Sequence, residues 1–113
     1  MTHTMRLHSE PFDAIKNGSK TIELRLNDEK RRLITIGDTI VFFCTEDERC
    51  LQVKVINLFA FKTFADLYNA LPLEKCGYRK ENLASASFHD MYQYYTLEQE
   101  KCHGVLGIEI QVH

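Results

Sequence analysis

The sequence has no tryptophan, only two prolines and five glycines, and no apolar run that approaches the ~20 residues needed to cross a bilayer. Its longest apolar stretches, such as Val55 to Phe61, fall far short. This excludes a membrane-spanning helix, and the low Pro and Gly content excludes collagen-like repeats and Gly/Pro-rich linkers. The four cysteines, Cys44, Cys50, Cys76 and Cys102, contain no C-x2-C pair, the spacing that structural zinc sites use. No secretory signal is expected either, because the opening MTHTMRLHSE places Arg6 early and no apolar run follows it. The thiols are therefore expected to be reduced, with Cys44 and Cys50 facing each other across a hairpin, and the protein is expected to be cytoplasmic. Charge of one sign is scarce too: 14 basic residues stand against 16 acidic ones, a formal net charge of -2. That balance excludes a protein that coats nucleic acid by bulk electrostatics.

Enough apolar material remains for a core. Hydrophobic residues make up 44% and aromatics 11% of the 113 residues, and 27% are charged, which predicts a single globular domain over residues 1–113. No repeat or low-complexity tract divides it. The charge is uneven. From Lys16 to Arg32, six basic residues oppose three acids, a local +3, whereas from Asp90 to Glu109 only Lys101 opposes four acids. A phosphate-bearing ligand is expected to approach the N-terminal third.

The pattern predicts a short first strand at TMRLHS, then a helix capped by Ser9, with Pro11 in its first turn, Phe12 and Ile15 facing the core and Gly18 ending it. KTIELRLN alternates: Ile22, Leu24 and Leu26 lie on one face, Thr21, Glu23 and Arg25 on the other. Two further strands, in IGDTIVFFCTE and CLQVKVINLFAFK, are separated by a hairpin loop at DER, and the three strands are expected to form an antiparallel meander. A helix follows Thr63 and stops at Pro72. Ala84, Phe88, Met91, Tyr92 and Tyr95 fall on one helical stripe, and GVLGIEIQV is a final strand. The order β-α-β-β-β-α-α-β predicts an α+β fold, a small mixed barrel flanked by helices.

Chemistry concentrates on the second strand. Glu23 and Arg25 are two residues apart and project from one face, so they form a single polar patch; Lys20, just after the Gly18-Ser19 turn, can swing to join them. A Glu beside an Arg is commonly a surface ion pair. Partly buried, Arg25 offers planar donors to a phosphate or carbonyl, Glu23 accepts from a base amine, and Lys20 neutralises a phosphate or acts as a base. Lys30, Arg31 and Arg32 form a basic run, read either as a solvated face or as phosphate contacts. His89 lies beside the apolar stripe. Tyr92 and Tyr95 are assigned to packing, and Tyr94, off the stripe, is the candidate stacking platform for a base. His103 beside Cys102 cannot supply a four-ligand site, so neither metal nor cofactor is expected.

The G-x-K-x-x-E-x-R pattern at Gly18, Lys20, Glu23 and Arg25, with the G-D at Gly37 and Asp38, resembles the ASCH domain of the PUA-like superfamily. FHDMY and HGVLGIEI resemble that family's second half, so the likeness runs over nearly the whole chain. It implies a mostly antiparallel β-barrel with flanking helices and a cleft into which Lys20, Glu23 and Arg25 point. It also implies a partner that is RNA or a nucleotide-like small molecule, and it brings His89 toward the cleft. The ligand-binding set is then Lys20, Glu23, Arg25, Arg31, His89 and Tyr94. Some small bacterial members hydrolyse N4-acetylcytidine or cut RNA, so the alternative is a small hydrolase with Lys20 and Glu23 as base and acid. The acetylcytidine hydrolases, however, carry threonine where this chain has Glu23.

Overall fold

The computed structural model describes residues 1–113. Five strands form one curled sheet in the order β1-β3-β4-β5-β2: β1 is Thr2–Leu7, β2 Ile22–Leu26, β3 Thr39–Cys44, β4 Cys50–Phe61 and β5 Val105–Val112. The β3–β4, β4–β5 and β5–β2 pairs are antiparallel, while β1 runs parallel to β3. The expected meander is corrected here, because β2 pairs with β5 and not with β3. The chain between Leu26 and Thr39 is longer than the two to about five residues of a hairpin loop. It carries a 3-10 turn, Arg31–Leu33, and returns on the far side of the sheet.

Three helices accompany the sheet: α1 (Ser9–Lys16), α2 (Phe64–Ala70) and α3 (Leu97–His103). Phe12 and Ile15 of α1 are buried as their spacing predicts, but Ser9 is the first helical residue and does not cap; its N–H donates to Glu46 Oε2 at 2.7 Å. A carboxylate from the β3–β4 hairpin thus caps α1 across the fold. Thr63 caps α2 as expected, accepting from the Asp66 N–H at 3.1 Å.

The expected helix around residues 84–95 is two 3-10 segments, Lys80–Ser85 and Phe88–Gln93. The break is local. Ser87 is extended, its hydroxyl accepts from the His89 N–H, and Asp90 accepts from the Ser87 N–H, so a capping box starts a new turn where the stripe requires a continuous one. Helix α3 was not foreseen, although Thr96 and Gln99 form a reciprocal capping box at its start. Cys44 and Cys50 do not face each other: Cys50 pairs with Phe43 and is exposed, while Cys44 is buried, and all four thiols are free.

Two apolar clusters lie on opposite faces of the sheet. One joins Met5, Leu7, Phe12, Ile15, Ile40, Phe42, Val53, Val55, Leu106, Ile108 and Ile110 inside the curl. The other joins Ile22, Leu24 and Leu26 to Phe64, Leu67, Met91 and Val105, covered by Tyr92 and Tyr95. This division positions the site. Residues directly opposite in a sheet share a face, and Glu23 pairs with Ile108 and Arg25 with Leu106. The two charged side chains therefore project into the curl, at its open edge.

Candidate functional site

Lys20, Glu23 and Arg25 meet in one ion cluster. Lys20 Nζ is 2.7 Å from Glu23 Oε1, and Arg25 approaches Oε2 with Nη2 at 2.8 Å and Nε at 2.9 Å. Glu23 is only 4% exposed. Burial opposes its ionisation, but the charges of Lys20 and Arg25 and the hydrogen bonds they donate outweigh that effect and hold the carboxyl below its usual range.

Backbone contacts fix Lys20 where alternation alone left it undecided. Its N–H donates to the Ala14 carbonyl at the end of α1, and the next N–H, of Thr21, donates to Lys75 O at 2.9 Å. The second bond brings the 3-10 turn Leu73–Cys76 and the following Gly77 against the Lys20 stem. Lys20 also lines a cavity of about 270 Å³ with Lys16, Asn17, Thr21 and Gln111.

Arg25 does more than pair with Glu23. Its Nη2 donates to the Arg6 carbonyl at 2.8 Å. The neighbouring Leu7 carbonyl accepts from Thr45 N–H on the β3 side, and carbonyls alternate along a strand, so the Arg6 carbonyl faces the unpaired edge of β1. One guanidinium thus bridges the two free edges of the sheet.

The other candidates are dispersed. Arg31 pairs with Asp28 at 3.1 Å, and its buried Nε has no partner. Arg32 donates to the carbonyls of Asn27 and His103. His89 is exposed, stacked on Phe88 with ring centroids 4.2 Å apart. Tyr94 is 63% exposed and lies edge-on to Tyr95. Tyr95 packs on Phe64, as assigned; burial raises its hydroxyl pKa, and the charges of Arg25, Glu23, Arg31 and Asp28 all act on it. The hydroxyl therefore lies within electrostatic reach of the cluster, which the apolar stripe did not signal.

Two further polar groups escaped the sequence reading. Buried Glu100 accepts from the Phe64 N–H at 2.7 Å and from the Tyr92 hydroxyl at 2.9 Å, fixing α2 to α3. Tyr68, Tyr78 and Asp90 form a hydrogen-bonded chain, with O···O distances of 2.6 and 2.7 Å.

The curled five-stranded sheet with its flanking helices matches the ASCH/PUA-like fold. The model of the ASCH domain family matches residues 5–112, and the chain belongs to that family. Among solved structures, the hypothetical protein PH0355 is 34% identical over 100% of both chains, with a TM-score of 0.83. Protein PF0455 from Pyrococcus furiosus is 32% identical, covering 99% of this chain and 97% of its own, with a TM-score of 0.75. The ASCH protein of Zymomonas mobilis shares the fold at 13% identity and a TM-score of 0.66, covering 96% of this chain and 65% of its own. No curated protein matches the chain.

Proposed function

We propose that this ASCH domain binds RNA or a nucleotide-like small molecule at the open seam of its sheet, with Lys20, Glu23 and Arg25 as the polar centre. The supporting observation is that two cations share a single carboxylate that is 4% exposed. The cluster keeps a net positive charge, and Arg25 Nη1 has no acceptor within the protein. A phosphate or base carbonyl supplies that acceptor. Arg31 is held by Asp28 in the loop after β2 at 3.1 Å, and exposed Tyr94 and His89, away from the cluster, offer aromatic faces for a base.

Binding is favoured over hydrolysis. Lys20 and Arg25 hold the Glu23 carboxyl below its usual range, which opposes the proton-donor role that the hydrolase reading gives it. The test is a fluorescence-anisotropy titration with short single-stranded RNAs and a thermal-shift series with nucleotides, run in parallel with a turnover assay on N4-acetylcytidine. Binding that weakens by about 1 to 3 kcal/mol in Arg25→Lys and Lys20→Ala, with no turnover, is expected. Turnover abolished by Glu23→Gln would establish the hydrolase instead, and unchanged affinity in both cation variants would leave the cluster a structural ion group.

A further inference from the structure

A second polar groove lies away from the Lys20 cluster, at the other end of β2. It has a volume of about 650 Å³ and is lined by Ala60 to Thr63, at the end of β4, and by Lys101 to Gly104, at the end of α3. The lining includes Lys62, Lys101 and His103 and no acidic residue, in a chain where acids outnumber bases 16 to 14. None of these three side chains forms an ion pair or a side-chain hydrogen bond; the ion pairs of the fold all lie elsewhere.

Lys101 falls in the last turn of α3 beside His103, where a cation commonly offsets the helix dipole. That accounts for the one cation on this helix and not for the others. Lys62 arrives from β4, and Arg32 from the loop after β2 is held at the rim by its bond from Nη2 to the His103 carbonyl at 3.2 Å. Three separate segments therefore deliver three cationic side chains, Lys62, Lys101 and Arg32, and the His103 imidazole to one concavity. Its floor tolerates no side chain at Gly104, which has φ +71°, and a Cβ there would meet the Phe61 carbonyl at 2.9 Å. Like charges gathered without counter-charges repel one another, and an anion relieves that repulsion.

We propose that this groove is a second binding site, taking phosphate groups and acting independently of Lys20, Glu23 and Arg25. Its volume admits a phosphate chain or a stretch of phosphodiester backbone, and its flexible ammonium groups suit phosphate as point charges. The two sources of phosphate are separated by using two probes, inorganic tripolyphosphate and a single-stranded RNA of about ten nucleotides.

The experiment is an NMR titration of the full chain with each probe, following the backbone amides and the His103 ring. It is repeated for Lys62→Ala/Lys101→Ala, for Lys54→Ala as an exposed-lysine control, and for Arg25→Lys. Shifts at residues 60–63 and 101–104 that saturate separately from any at the seam, an affinity at the groove roughly tenfold or more weaker in the double variant, and unchanged affinity at this groove in Lys54→Ala and Arg25→Lys are expected. The slope of log affinity against log salt should fall by about two in the double variant. A response to tripolyphosphate alone assigns the groove to small phosphate ligands, and a response to both probes admits the RNA backbone. No shift at these residues with either probe, or equal losses in Lys54→Ala and the double variant, overturns the proposal. Shifts that vanish in Arg25→Lys would make the groove part of the seam site, and would overturn its independence while leaving the seam reading intact.

Discussion

Arg25 is bonded at once to Glu23 on its own strand, through Nε at 2.9 Å, and to the carbonyl of Arg6 on β1, through Nη2 at 2.8 Å. The residue proposed to meet ligand is thus also a tie between the two free edges of the sheet. Arg25→Ala removes that tie and leaves the buried Glu23 with Lys20 alone, and breaking a buried pair from one side costs about 3 kcal/mol or more. Arg25→Lys keeps the charge and loses the second bond, so about 1 kcal/mol is expected. Urea unfolding of the two variants measures the difference. Losses that are equal and below ~0.5 kcal/mol would reduce the cluster to an ordinary surface ion pair.

Acid should act on the fold through the same carboxylate. Because Glu23 is held below its usual range, its ionised form stabilises the folded state fully above the unfolded value of about 4.3, and that stabilisation is lost as pH falls below it. Asp38 is depressed in the same direction, first by the hydrogen bond from His3 and then by that from the Thr35 N–H. The melting temperature is therefore expected to fall steeply from about pH 4.5 downward. In Glu23→Gln the fall is shallower, with the Asp38 share remaining. Parallel curves for the two proteins would show that Glu23 has the same proton affinity folded and unfolded.

Local signals in the sequence were read well where one periodicity or one cap decides the structure. The alternation of Ile22, Leu24 and Leu26 against Glu23 and Arg25, the Thr63 cap and the closing strand all appear as expected. Pairing between strands was not legible in the same way. Nothing within β2 says that Glu23 lies opposite Ile108, a residue 85 positions later, and the only local hint was a connection to β3 too long for a hairpin. The helix read at residues 84–95 failed because an apolar stripe records which side chains are buried, whereas Ser87 and Asp90 set the backbone. Net charge misled in the same region: residues 90–109 count as acidic, yet Glu100 is turned inward, and Lys101 and His103 face the groove.

The thiols should divide by burial. Cys50 and Cys102 are exposed, and Cys44 and Cys76 are buried. Burial pushes the Cys76 thiol up to about 11, against the attraction of nearby Lys20, so little nucleophilic thiolate forms at neutral pH. An aromatic disulfide reagent at pH 8 is expected to modify two cysteines quickly and the other two only as the protein unfolds. Rapid modification of Cys76 would mean that the turn Leu73–Cys76 opens readily, and with it the wall against which Lys20 rests.

That wall can be probed at Gly77. Gly77 has φ +108°, and a Cβ placed there would stand 3.3 Å from Lys20 Cδ and 3.7 Å from Nζ. Gly37 has a similar φ, +97°, and a Cβ there would meet nothing within 4 Å. Alanine at either position carries the left-handed backbone cost of about 1 to 2 kcal/mol, so Gly37→Ala measures that cost alone. Gly77→Ala adds a push on the Lys20 stem, which must turn away from Glu23 or compress the contact. Both variants are therefore expected to lose similar stability by urea unfolding, with Gly77→Ala slightly the worse. RNA affinity should separate them: unchanged in Gly37→Ala, and weaker in Gly77→Ala by about 1 kcal/mol, the scale of one displaced charged hydrogen bond. Equal affinities with unequal stabilities would place Lys20 outside the binding surface and leave Gly77 as a packing glycine only.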